Sequence, residues 1–359
     1  MSLWKVTISV IVCLIVFIVG CGRKSSYETA EVLFGEIIES DDHYAPQIMA
    51  NNWETMDILR EAYHNDPDDE RVRSIFNTFY SSRFDLTLEE SLSKSMDIII
   101  EYGSNLLRLT PKDGILLVYH EQIYYPVRYA QDIDGVNPDI PVICGKFLPF
   151  KRYRDYLSAR YGLCFPYGFP TVKSADDEEY KSTTVNGLRW VADSLGKPVL
   201  INMNMPLEAR PANGALTYGF GKLYGLPLTN EEIKQKNLEF YSSVLVFDAV
   251  ADTTFMLPNL VEGMVQWYAE APLVQATHWL ADGDTAFVDT LLSVLIERLP
   301  SFWRPASYYF FLHPELSGQP REELIARIER FIKFNPDKRN AQNTLKGILA
   351  TEGNTGEEK

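Results

Sequence analysis

The chain reads as an α/β core, a small and mostly parallel sheet, flanked by helical, tetratricopeptide-like segments. Three observations lead there. Within 113–148 an apolar run, a helical stretch closed by Gly135 and a second apolar run follow one another, the order strand, helix, strand. A further strand-rich patch lies at 198–226, behind Lys197-Pro198. On both sides of these segments, apolar residues recur at helical spacing.

The elements follow in order. Ala30, Leu33, Phe34 and Ile37 share one helical face behind a capping box of Ser25 and Glu28. A second helix covers 46–64 and is broken by Asn65-Asp66-Pro67, which starts another. Thr87 and Glu90 form a second capping box, and the helix behind it reaches Leu109 before Pro111. Residues 115–119 are almost continuously apolar, as in a strand covered on both faces. A helix over 126–133, a turn at Asn137-Pro138-Asp139 and a strand over 140–144 complete a Rossmann-like βαβ unit. A helix over 150–161 follows, then a Pro/Gly/Tyr-rich and acidic loop over 163–185 and a short helix over 187–195 stopped by Gly196. Residues 199–203 form a third strand, with further strands around 216–220 and 223–226. Thr229 and Glu232 cap the next helix. From there to 350 the chain is mainly helical, with Asp282-Gly283-Asp284 and Phe334-Asn335-Pro336-Asp337 as turns. The domain reading is a signal peptide over 1–20, a tether over 21–26, a helical segment over 27–110, an α/β domain over 111–228, a helical tetratricopeptide-like segment over 229–350 and a disordered tail over 351–359.

The N-terminus is an address. Lys5 precedes the apolar run VTISVIVCLIVFIV, too short for a membrane span of about 20 residues and of the length of a secretory signal. Ile18-Val19-Gly20-Cys21 then resembles a bacterial lipobox, which implies lipidation of Cys21 and export to the envelope, on the outer membrane or the periplasmic face. Gly22 stands where an Asp would favour inner-membrane retention. The formal charge of −15 repels nucleic acid and anionic lipid, so neither is an expected partner beyond the anchor itself. An exported location permits a disulfide between Cys144 and Cys164, while the apolar strand around Cys144 favours a buried thiol. Neither cysteine has the neighbours of a metal site, and no cofactor motif is present.

The words VYHEQIYYPVRYAQDIDGVNPDIPVI resemble a region of a bacterial membrane-protein family described as protein O-mannosyltransferase-like. Pro126, Tyr129, Gly135, Pro138 and Asp139 carry the resemblance, joined by Lys197-Pro198-Val199, by 218–227 and by 280–300. Members of that family carry a multi-span membrane domain followed by a soluble α/β-plus-helical tail. The resemblance implies the fold of that tail over about 110–335 and a link to envelope glycans or glycoproteins. The multi-span domain has no counterpart here, and the family's acidic loop is reduced to Glu121, with Ile123 in place of another carboxylate.

Ligands of parallel sheets bind beyond the carboxyl ends of the strands. Those ends deliver His120, Glu121 and Gln122, then Gly145 and Lys146, then Asn202 and Asn204. A His–Glu pair with amide donors suits sugar binding or acid–base work. The chain lacks HExxH, GxSxG, a phosphate loop and GxGxxG, so no catalytic residue is assigned. Three readings of different class result. One is a non-catalytic binding or assembly lipoprotein with an envelope protein partner and glycan as a second ligand class. Another is an enzyme on envelope glycans with its site near Glu121. The third is a small-ligand carrier, which needs an enclosed apolar cavity. The aromatic run Phe302-Trp303-Arg304-Pro305 with 308–311 reads as helix packing or as a docking face.

Overall fold

The computed structural model describes Arg60, Glu61, His64, Asn65 and residues 94–354, except 174, 176, 203–215, 250–258, 301, 314–316 and 337. The leader, Cys21, the tether, both N-terminal capping boxes, Asn204 and the tail beyond Asn354 lie outside the described residues, as do most of the helices expected before residue 94.

A mixed five-stranded sheet lies at the centre, in the order β2-β1-β3-β5-β4. The strands are β1 (Ile115–Val118), β2 (Val142–Cys144), β3 (Val199–Asn202), β4 (Leu216–Tyr218) and β5 (Gly221–Tyr224). β1 runs parallel to β2, with Leu117 beside Ile143, and parallel to β3, with Leu116 beside Leu200. All of β1 and β3 is buried, the reason both read as unbroken apolar runs. The expected mostly parallel sheet is instead half antiparallel in its pairings, because β5 folds back on both β3 and β4. The two-residue connection Gly219-Phe220 is too short for a parallel crossover. Gly219 adopts φ 57°, a left-handed turn conformation suited to glycine.

α1 (Lys94–Leu109) and α2 (Glu121–Asp132) pack closely against each other. A Cβ added to Gly103 would lie 2.5 Å from the Pro126 carbonyl carbon, so the glycine is what lets the two backbones approach. α2 begins at Glu121, five residues before the expected start, with Pro126 inside it. Proline normally breaks a helix interior. Here the turn before it is held by the extended His120 cap, by Glu121 in the first turn, where a carboxylate suits the helix dipole, and by packing on α1. Beyond α2, Gln131 donates to the carbonyls of Asn137 and Ile140, and Asn137 donates to that of Leu107, which fixes the turn into β2.

After β2 a 3₁₀ turn, Gly145–Phe147, leads into α3 (Lys151–Tyr161) and α4 (Tyr180–Ser194). α4 starts seven residues earlier than expected, with Thr183 and Thr184 buried. Cys144 and Cys164 are both free thiols, the first buried and the second exposed, so the alternative of a disulfide is not realised.

The remaining helices are α5 (Asn230–Glu239), α6 (Asn259–Ala281), α7 (Thr285–Arg298), α8 (Trp303–Leu312), α9 (Gln319–Phe334) and α10 (Arg339–Asn354). The Thr229–Glu232 capping box is present, and Asp284 caps α7 by accepting from the Phe287 amide. α5 ends in a single π-helical turn, Phe240–Val244. Asn105 anchors the segment behind it, donating to the Val246 carbonyl and accepting from the Val246 amide. Asn237 does the same for the hairpin, accepting from the Gly219 amide and donating to the Thr217 carbonyl. One core joins the sheet to α7, and a smaller cluster of Phe310, Ile328 and Ile348 holds α8, α9 and α10 together. α10 continues to Asn354, past the expected start of the tail at 351. On α8, Phe310 is buried whereas Tyr308 and Phe311 are exposed, so the aromatic run both packs and faces outward. Among the described residues no helix is long and apolar enough to cross a membrane.

Candidate functional site

The carboxyl edge of β1, β2 and β3 brings together part of what the sequence placed there. β1 runs out through Tyr119 into His120, whose extended backbone caps α2. Glu121 therefore stands on the first turn of a helix and not in a loop. Lys146 follows β2, and its amide donates to the Tyr119 carbonyl at 3.2 Å. Its ammonium lies 3.1 Å from the Glu121 carboxylate. The Tyr180 hydroxyl, from the first turn of α4, donates to the Lys146 carbonyl at 3.0 Å. Each charge at this edge is thus opposed by its neighbour, and α4 closes over one side.

Burial and the Lys146 ammonium hold the His120 pKa below the usual 6.5, against the pull of Glu121. The imidazole is therefore neutral at pH 7. Burial also pushes the Cys144 thiol well up, so it is neither a nucleophile nor a ligand in its resting state. Its own amide is taken by the Tyr153 hydroxyl, which accepts at 2.9 Å.

Asn202 does not join this group. It is 1 % exposed and its amide lies beside the Tyr102 hydroxyl of α1, with no hydrogen bond to either amide atom. Gln122 is half-buried on the same turn as Glu121. Among the described residues, no group of three His, Cys, Asp or Glu side chains could hold a metal ion. His278 and His313 pair separately with Asp282 and Asp289 on helices of the C-terminal part.

The opposite edge carries what the residue pattern did not announce. At the amino ends of the parallel strands opens a cleft of about 680 Å³, lined by Lys112, Asp113, Asp139, Arg160, Tyr161 and Lys197 among others. Behind it sits a buried charge network. Asp132, on the last turn of α2, accepts from Arg128 at 2.7 Å and from Arg160 at 3.2 Å, and Arg60 approaches to 3.5 Å. Arg128 is 1 % exposed and also donates to the Tyr161 hydroxyl at 2.6 Å. The signal in the sequence is the Arg128–Asp132 spacing, one helical turn on the face of α2 that also carries buried apolar residues. Comparison with known protein families, with characterised proteins and with solved structures finds no match to this chain.

Proposed function

We propose that this chain is an exported, lipid-anchored envelope protein that binds and assembles, and does not catalyse at the carboxyl edge of its sheet. The observation that carries this reading is the Glu121–Lys146 pair with Tyr180 on the Lys146 carbonyl. A general acid or base needs an open position for the proton it moves, and here the carboxylate is already engaged by an ammonium. The lipobox-like Ile18-Val19-Gly20-Cys21 supports the anchor on the envelope. The resemblance to the tail of the O-mannosyltransferase-like family supports a link to envelope glycan or glycoprotein processing. α6 to α10 pack each on the next in chain order, and with the turns at Gly283 and Asn335 they support a tetratricopeptide-like reading of this part as the protein-docking half.

The second reading, an enzyme on envelope glycans, is favoured by one feature, the neutral His120 imidazole beside Glu121. A pull-down separates the two. Tagged chain recovered from its native envelope should bring one stoichiometric protein partner. The chain with both His120→Ala and Glu121→Gln should bring the same partner in the same amount. Glycan bound without a protein partner would defeat the assembly reading. Envelope glycan processed by the wild-type chain and left unprocessed by the double variant would establish the enzyme.

A further inference from the structure

We propose that the aromatic loop 163–172 rests in the headgroup layer of the bilayer that holds the anchor, with Tyr167 at its tip. The inference rests on the reading of this chain as lipid-anchored and names the surface that its body turns to the membrane.

Three observations carry it. The first is composition. Between Arg160 and Lys173 no residue is charged, in a chain where 23% of residues are. This stretch holds Phe165-Pro166-Tyr167-Gly168-Phe169-Pro170. Tyr167 is fully exposed, with Pro166, Gly168 and Pro170 exposed beside it. A single exposed aromatic on a protein surface needs no explanation. Here it is flanked by two more, Phe165 and Phe169, which are only half-buried and lie 4.9 and 6.0 Å from the half-buried Trp190 ring of α4.

The second is that the loop is held in shape. The Phe169 amide donates to the Pro166 carbonyl, which closes a turn over Tyr167 and Gly168, and Gly168 takes the left-handed φ of 82° that such a turn needs. Arg154 of α3 donates to the Thr171 hydroxyl at 2.6 Å, and its guanidinium lies 4.6 Å from the centre of the Phe169 ring. Tyr167 is thus presented at a fixed turn, and a contact made there costs little further ordering.

The third is where the chain from the anchor arrives. Residues 22–59 separate Cys21 from Arg60. Arg60 lies 3.5 Å from Asp132, which also accepts from Arg160 on the last turn of α3. The loop leaves α3 just beyond Arg160 and returns along it, since the Val172 amide donates to the Pro149 carbonyl. With 11 residues, α3 is about 16 Å long, so the loop stays close to the point where the anchor chain joins the body. Attachment through Cys21 raises the effective concentration of bilayer at this face. Tyr and Trp rings suit the headgroup layer because each joins an apolar body to a polar tip. The net charge of −15 repels anionic headgroups, so an uncharged contact is the kind that fits.

The test is electron paramagnetic resonance of the full lipoprotein, reconstituted into vesicles of phosphatidylcholine and phosphatidylethanolamine, with a nitroxide on Cys164. Cys164 is exposed in the loop and Cys144 is buried, so the label marks the loop. Oxygen concentrates in the bilayer, whereas a nickel chelate stays in water. The ratio of oxygen to chelate collisions should be about threefold higher in the wild-type chain than in Tyr167→Asp, as an interfacial aromatic requires. Tyr167→Asp should leave the melting temperature unchanged, because the ring is in solvent. Equal ratios in the two chains would overturn the proposal, and so would a rise that appears only when phosphatidylglycerol is added. Protection of the label by envelope glycan or protein and not by vesicles would also overturn it and give the loop to that partner. Flotation of the chain with the vesicles reads the anchor separately. A chain that does not float defeats the anchored reading and this proposal with it, whereas a floating chain with an aqueous label defeats this proposal alone.

Discussion

Replacing Asp132 by asparagine is expected to lower the stability of the fold by about 3–5 kcal/mol, the usual cost of removing one partner from a buried ion pair. The carboxylate is 4 % exposed and is the shared acceptor for Arg128, Arg160 and Arg60. Its loss leaves the Arg128 guanidinium buried and opposed only by neutral groups, Gln131 and Tyr161. Arginine does not shed its proton in a protein, so the charge cannot be relieved by titration. The exposed pair Lys151–Asp155 provides the contrast. It is shorter, at 2.6 Å, yet both side chains are largely in solvent. Asp155→Asn should therefore cost no more than about 0.5 kcal/mol. Urea denaturation of both variants measures the difference. A loss under 1 kcal/mol in Asp132→Asn would show that the network is not buried as described.

The second large effect is expected at Gly103, and there the sign is informative. In an open helix interior, Gly→Ala stabilises by roughly 0.5–1 kcal/mol. At Gly103 the new Cβ would meet three backbone atoms of α2, the nearest at 2.5 Å and the others at 2.6 and 2.7 Å. Backbone cannot swing aside as a side-chain tip can, so α1 and α2 must separate. Overpacking of this kind costs about 1–3 kcal/mol, and a net loss of about 1 kcal/mol is expected after the helix-propensity gain. Gly347 on α10 has nothing within 4 Å of its added Cβ. Gly347→Ala should accordingly stabilise, by up to about 1 kcal/mol. Thermal melts of the pair read both signs at once. Because α2 begins at the His120 cap, Gly103→Ala should also shift Glu121 relative to Lys146.

The parallel half of the sheet was legible because β1 and β3 are buried along their whole length, and burial on both faces leaves an unbroken apolar run. The Thr229–Glu232 capping box was legible for a similar reason, since a helix start has a local chemistry. The start of α2 was hidden by Pro126, whose local penalty is offset by a tertiary contact with Gly103 that lies elsewhere in the sequence. The antiparallel pairing of β5 depended on the length of one turn, which the glycine-rich run 219–225 did not define. His120 and Glu121 were found by topology, and Lys146 with them. Tyr180 was missed because it reads as part of a loop and reaches the edge only through the early start of α4. The amino-edge cleft was missed because its lysines and aspartates are ordinary turn residues one by one. Only the fold brings 112, 139, 160 and 197 to one edge.

The proposed envelope role presupposes that the chain is held on an envelope membrane through Cys21. The most direct measurement is metabolic labelling with radioactive palmitate in cells producing the wild-type chain and the Cys21→Ser variant, followed by membrane fractionation. The account predicts a labelled wild-type protein in the membrane fraction and an unlabelled variant that is no longer processed at residue 21. An unlabelled wild-type chain, or equal labelling of the variant, would contradict it.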